Sequence, residues 1–188
     1  NPVAAVTVSF LVAAFTLFLS VVIYRAQSKS FLNRTFAAAL LFFSLWIVCP
    51  TASRLVADPA PSMVTMEYRI SYALIVLSEG LFMAFCLGFL KGGNPGRRWL
   101  LFLLPSVVGL SLVNLTPWTL SEAISIDGIY LQTNGPLHPL FIATVAVLGG
   151  AILWLINLKR KRSRGTDRAR ATYILLGFGT FIPLRVLQ

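Results

Sequence analysis

The stretch LFIATVAVLGGAILWLINLKRKRSRGTDRARATYILLGFG, Leu140–Gly179, decides how this chain folds. From Leu140 to Leu158 it carries no charge. The segment that follows crowds together Lys159, Arg160, Lys161, Arg162, Arg164, Arg168 and Arg170, and a second apolar run then begins. A helix rising about 1.5 Å per residue needs about twenty apolar residues to cross the hydrocarbon layer of a membrane. The stretch therefore predicts two spanning helices joined by a basic connection, 159–170.

The rest of the chain repeats the pattern. Of 188 residues, 57% are hydrophobic and 12% charged, and the mean hydropathy is +0.80. A soluble domain of this size carries about a quarter charged residues, so lipid is the solvent implied here. The net charge of +10 invites a nucleic-acid reading. Such proteins spread their cations over a folded surface, whereas these lie in short clusters between apolar runs, and no nucleic-acid partner is expected. Cys49 and Cys86 both fall inside apolar runs and read as packing residues rather than a disulfide framework.

Six runs are predicted to span: Val3–Tyr24, Phe31 to about Val56, Val64–Leu90, Trp99 to about Val113, Leu140–Leu158, and Ala171–Gln188. The first has no basic residues before it and no small-residue cleavage pattern after it, so it reads as a span and not a signal peptide. Pro105 inside the fourth is tolerable because neighbouring helices can satisfy the freed backbone groups. The fold class predicted is an all-α polytopic bundle forming a single domain over 1–188, with a seventh span expected to follow.

Basic residues orient it. Arg25, Lys29 and Arg34 lie in the first connection, Lys91, Arg97 and Arg98 in the third, and the seven named above in the fifth. Only Arg54, Arg69 and Arg185 of the sixteen lie toward the other side. Lys and Arg are retained in the cytoplasm, which places the amino terminus outside and makes 159–170 a cytoplasmic loop.

The loop 114–139 is then external. It contains SEAISIDGIYLQTNGPLH, Ser121–His138, without a single Lys or Arg. Asp127-Gly128 between ISI and IYL signals a two-residue hairpin turn, giving a hairpin over 124–131. Pairing across it sets Ile126 opposite Ile129 and Ile124 opposite Leu131 on one face, with Ser125 and Tyr130 on the other. The apolar face is expected to rest on the outer mouth of the bundle, with Trp118 as an interfacial anchor. A lid over a ligand pocket and a plain cap over the helix ends are both open readings. His138, the only histidine, stands at the outer start of the fifth run. It reads as an interface hydrogen-bonder or, alternatively, as a pH-sensitive group.

Glu67, Arg69 and Glu79 sit in the third run. Glu67 and Arg69 are near its outer end, and Arg54 or Arg185 is a candidate partner for Glu67. Glu79 falls near mid-membrane, where an ionisable group must face the bundle interior. At 100° per residue Tyr72 and Glu79 share a line, while Glu67, Ser71 and Ser78 form another. Either a binding cavity lined by Tyr72, Ser78 and Glu79 or simple interhelical hydrogen bonding, with Asn114 as one partner, accounts for this polar flank. No metal-ligand, nucleophile-elbow or phosphate-loop motif occurs, one histidine excludes bis-histidine haem, and no cofactor is expected.

Several stretches carry a resemblance: FLNRTFAAALLFFSLWIVC (Phe31–Cys49), EYRISYALIVLSEGLFMAFCLGFL (Glu67–Leu90), NPGRRWLLFLLPSVVGLSLVNLTP (Asn94–Pro117), and the segment from Asn134 to Gly179 with its Gly135-Pro136 entry. Together these resemble the amino-terminal seven-helix sensor region of bacterial histidine kinases, over most of the chain. Arg69 and Tyr72 match the family's Arg-x-x-Tyr, and Gly177 matches its sixth-helix glycine. The resemblance implies a non-catalytic sensory domain relaying an external or intramembrane stimulus to a kinase or other cytoplasmic output module in the same chain. Expected partners are the lipid bilayer, a second copy in a homodimer and an unspecified small-molecule ligand. The competing readings are a transporter or channel component using Glu79, and a structural subunit of a larger membrane complex.

Overall fold

A computed structural model describes residues 2–51, 59–126 and 129–186, with side chains over 6–51, 59–124 and 131–176. Among the described residues six long helices run in order: α1 (Pro2–Ala26), α2 (Phe31–Val48), α3 (Pro61–Lys91), α4 (Arg97–Asn114), α5 (His138–Arg162) and α6 (Gly165–Val186). A short 3-10 turn, Cys49–Thr51, follows α2, and two strands, β1 (Leu120–Ile126) and β2 (Ile129–Asn134), separate α4 from α5. Among the described residues, four segments are long and apolar enough to cross a membrane: Val6–Ala26, Phe31–Thr51, Pro61–Lys91 and His138–Arg162. The helix α4 opens on Arg97-Arg98, which dilutes its apolarity.

The bundle is organised on α3, which packs against α2, α4, α5 and both strands. It is buried along most of its length, whereas α1, α2 and α5 turn most of their apolar surface outward. Phe15 and Phe18 on α1, Phe102 on α4 and Trp154 on α5 are all more than 60% exposed. Leaving each such side chain in water would forgo about 1.5–3 kcal/mol; hydrocarbon removes that penalty.

Inside lipid, helices gain little from apolar contact and associate through small residues and hydrogen bonds. Here Ser20 donates to the carbonyl of Ala37 at 2.7 Å and Ser44 to that of Ala13 at 2.7 Å, a reciprocal pair locking α1 antiparallel to α2. Ser78 donates to the Ala39 carbonyl at 3.0 Å and joins α3 to α2. Ala13, Ala37 and Ala39 are buried, their small side chains admitting the close approach. Gly80 does the same between α3 and α4, because a Cβ there would meet the Val107 methyls.

Two apolar clusters fill the interior. The inner one gathers Ala39, Phe82, Phe85, Cys86, Ile152, Ile156 and Ala171 from α2, α3, α5 and α6, with Phe36 edge-on to Phe82 at 5.6 Å. At its rim Lys159 Nζ sits 5.1 Å over the Phe89 ring, a cation–π contact. The outer cluster holds Ile75, Val76, Val107 and Phe141. Cys86 lies within the inner core and Cys49 is half-buried, both as free thiols.

Three expectations need correction or limit. The basic segment 159–170 is not a loop: Lys159–Arg162 complete α5 and Gly165 onward belongs to α6, leaving Ser163 and Arg164 as the turn. Lys and Arg are good helix formers and favour a helix C-terminus, so the helix outlasts its apolar run. The second run is helical only to Val48 before the 3-10 turn, and 52–56 lies outside the described residues. Finally, the hairpin meets the bundle with its other face. The register pairs Ile124 with Leu131 and Ile126 with Ile129, yet Ile124 and Leu131 are 40% and 51% exposed. Ala123, on the opposite face, is the buried residue. Its small side chain lets β1 approach α3 closely enough for a backbone hydrogen bond, which the branched isoleucines would prevent. The side chains of Ser125, Ile126, Ile129 and Tyr130 lie outside the described residues.

Candidate functional site

The helix α3 has 31 residues, about 46 Å at 1.5 Å each, against a hydrocarbon layer of about 30 Å. About ten residues must project. If Lys91 marks the inner boundary, the projecting part runs from Pro61 to about Ile70, and the hairpin is docked there. Thr65, Arg69 and Tyr72 are spaced i, i+4, i+7 and so line one face, and each bonds to the hairpin. Thr65 Oγ1 accepts from the Ala123 amide at 2.8 Å. Arg69 Nε donates to the Leu120 carbonyl at 3.0 Å, and its Nη2 donates to that of Ser121 at 2.5 Å. The Tyr72 hydroxyl donates to Gln132 Oε1 at 2.8 Å.

The base of the hairpin is tied separately. Gly135 donates to the Thr119 carbonyl at 3.0 Å and Leu137 to that of Trp118 at 2.7 Å. A Cβ on Gly135 would collide with the Pro117 and Trp118 carbonyls, so only glycine fits. A bulge between Leu120 and Glu122, bridged by the Thr133 hydroxyl, completes the base.

The six candidate residues separate into three places. Arg69, Tyr72 and His138 gather beneath the hairpin: Tyr72 stacks on Phe141 with centroids 4.2 Å apart, and the His138 ring lies 5.9 Å from each. Glu67 faces away from them toward the end of α2, where the Cys49 thiol donates to its backbone carbonyl at 3.4 Å. Ser78 and Glu79 lie deeper by six to seven residues, about 10 Å. Both are buried, and Ser78 is bonded to Ala39, near the middle of α2, so Glu79 sits at mid-span. The best-formed cavity among the described residues measures about 10 Å³ and is lined by Val76, Leu110, Asn114, Thr119, Leu137 and Phe141 among others. That is space for one water at most.

Glu67 Oε1 and His138 Nδ1 are buried and meet no hydrogen-bond partner among the described residues. Arg54 lies outside those residues, as does the Arg185 side chain, so neither pairing proposed for Glu67 is described. No group of three His, Cys, Asp or Glu suited to a metal occurs among the described residues. Sequence reasoning passed over Thr65 and Gln132. The i, i+4, i+7 spacing of Thr65 with Arg69 and Tyr72 was the available signal for the first; Gln132 had none, since hairpin docking decides its partner.

An α3-centred bundle with lipid-facing aromatic side chains and a hairpin clamped to its projecting helix defines a polytopic helical membrane protein. The family described as the N-terminal 7TM region of histidine kinase matches residues 5–187, and the chain belongs to it. It is therefore a membrane-embedded region of the kind that forms the sensory input of histidine kinases, a region that is not itself catalytic. No curated protein and no solved structure matches the chain.

Proposed function

We propose that this domain is the sensory input of a bacterial two-component histidine kinase. In this reading it crosses the inner membrane with the amino terminus and hairpin outside, using all six helices and a seventh that leads to a cytoplasmic output module in the same chain, within a homodimer. The uneven placement of cations supports the orientation, since Asp167 is the only acidic residue among the thirteen basic ones on the inner side. The stimulus is read where the hairpin meets α3. The observation that carries this is the set of hydrogen bonds from Thr65, Arg69 and Tyr72 to one hairpin. A ligand changes output only if two arrangements bind it differently. A hairpin held by a few polar bonds to the helix that touches α2, α4 and α5 is suited to having two.

The test is stimulus-dependent autophosphorylation of the full-length protein. Tyr72→Phe and Thr65→Val remove docking bonds without changing size, and each should shift the response, while Glu79→Gln reports on the deeper part of α3. Wild-type responses in folded Tyr72→Phe and Thr65→Val proteins would remove the hairpin from the mechanism. The buried mid-span carboxyl of Glu79 favours a second reading, a transporter or channel component. Proton or solute flux into vesicles that is lost in Glu79→Gln would establish it.

A further inference from the structure

A two-stranded sheet has two edges, and here they differ. The edge of β1 is sealed: the Ala123 amide is taken by Thr65 and the Leu120 and Ser121 carbonyls by Arg69. The contact of α3 is almost wholly with β1, and β2 lies on the far side. In an antiparallel pair, directly opposite residues both turn their amide and carbonyl toward the partner strand or both turn them away. Ala123 points its amide away from β2, and it pairs with Gln132. The backbone of Gln132 therefore points out along the free edge of β2.

That edge lacks the usual protection. Short length aside, native edges are blunted by Lys, Pro, charge or a covering element, and IYLQTN, Ile129–Asn134, has no charge and no proline. Leu131 and Gln132 are exposed, and Leu131 and Ile124 offer an apolar face beside the edge. Glu122 is exposed on the face it shares with Ile124 and Leu131, and 114–139 contains no Lys or Arg.

A second copy does not suit this edge. Along α3, β1 passes Arg69 at Leu120 and Thr65 at Ala123, so the hairpin stands up along the projecting helix. Two copies in one membrane are related by an axis along its normal. That operation sets upright strands parallel, with the same residue at the same height, so amide meets amide. We propose that the free edge of β2 is a docking site for an extended, cationic peptide with alternating apolar side chains, bound by strand addition. Its backbone pairs with Gln132; on the face shared by Glu122, Ile124 and Leu131, its apolar side chains pack beside Leu131 and Ile124 and a basic one reaches Glu122. The proposal rests on the external placement of the hairpin and deepens it by naming a ligand class.

The experiment uses the full-length protein in phosphatidylcholine nanodiscs and a fluorescent hexapeptide with one arginine and two valines at alternate positions, on one face, and threonine between them. Gln132→Pro removes the outward amide while sparing the ladder, because that amide takes no part in it. Gln132→Ala removes the same side chain and keeps the amide. The peptide should bind wild type and Gln132→Ala, bind Gln132→Pro about tenfold more weakly or worse, and slow amide exchange at Gln132. A version N-methylated at alternate residues should not bind. Equal binding to Gln132→Pro, binding of the N-methylated peptide, or binding of neither this peptide nor its glutamate counterpart would overturn the proposal. So would protection at Gln132 that rises with protein concentration without peptide, which gives the edge to a second copy. Binding confined to inverted vesicles keeps the edge and overturns the orientation instead.

Discussion

Arg69→Met keeps the apolar stem of the side chain and removes its donors. Two charge-assisted hydrogen bonds then vanish, to Leu120 and Ser121. Leu120 is fully buried, so its carbonyl is left without water, at about 2 kcal/mol; Ser121 is partly exposed and recovers much of its loss, leaving about 1 kcal/mol. Together these weaken docking by about 3 kcal/mol, or about a hundredfold in the undocked fraction. The assay is maleimide labelling of Ala123→Cys, a site 3% exposed when docked, in a protein whose Cys49 and Cys86 are replaced by alanine. Labelling should quicken about a hundredfold with Arg69→Met and about tenfold with Arg69→Lys, which restores one donor. A rate changed by less than about twofold in Arg69→Met, with the helices still folded, would show that Arg69 does not hold the hairpin.

Gly135→Ala should loosen the same hairpin from its base, at about 1–3 kcal/mol, because the colliding atoms are backbone carbonyls that cannot turn aside; amide exchange at Gly135 and Leu137 measures it. Gly80→Ala should lower the thermal midpoint in detergent by crowding Val107, and the double change with Val107→Ala should recover most of the loss, a coupling that a merely helix-propensity effect would not show. Ser44→Ala and Ser20→Ala should each cost about 0.6 kcal/mol in steric-trap or denaturant unfolding, the average for hydrogen bonds between helices in lipid. In the same cysteine-free background, an impermeant thiol reagent added to intact cells should label Thr133→Cys and spare Ser163→Cys; the reverse would invert the orientation.

The apolar runs, the mid-span depth of Glu79 and the asymmetry of the cations were legible in the sequence. Transfer into lipid acts on residues largely one at a time, so a string of side chains carries that information without knowledge of contacts. The family resemblance was legible for the same reason, since it is a pattern of hydropathy and punctuation, and it is the family matched over 5–187. The pairing of Ile124 with Leu131 follows from a two-residue turn, a local rule. Which side of the hairpin would meet the bundle was not legible. Hydrophobicity pointed to Ile124 and Leu131, but the close approach of β1 to α3 required the small Ala123 and a free amide for Thr65, terms that exist only once two distant segments are side by side. Tertiary structure likewise gave Arg69 its carbonyl partners and separated Tyr72 from Ser78 and Glu79. It also left one sheet edge sealed and the other open, because the partners of backbone groups at an edge are set by what packs there and not by the strand itself.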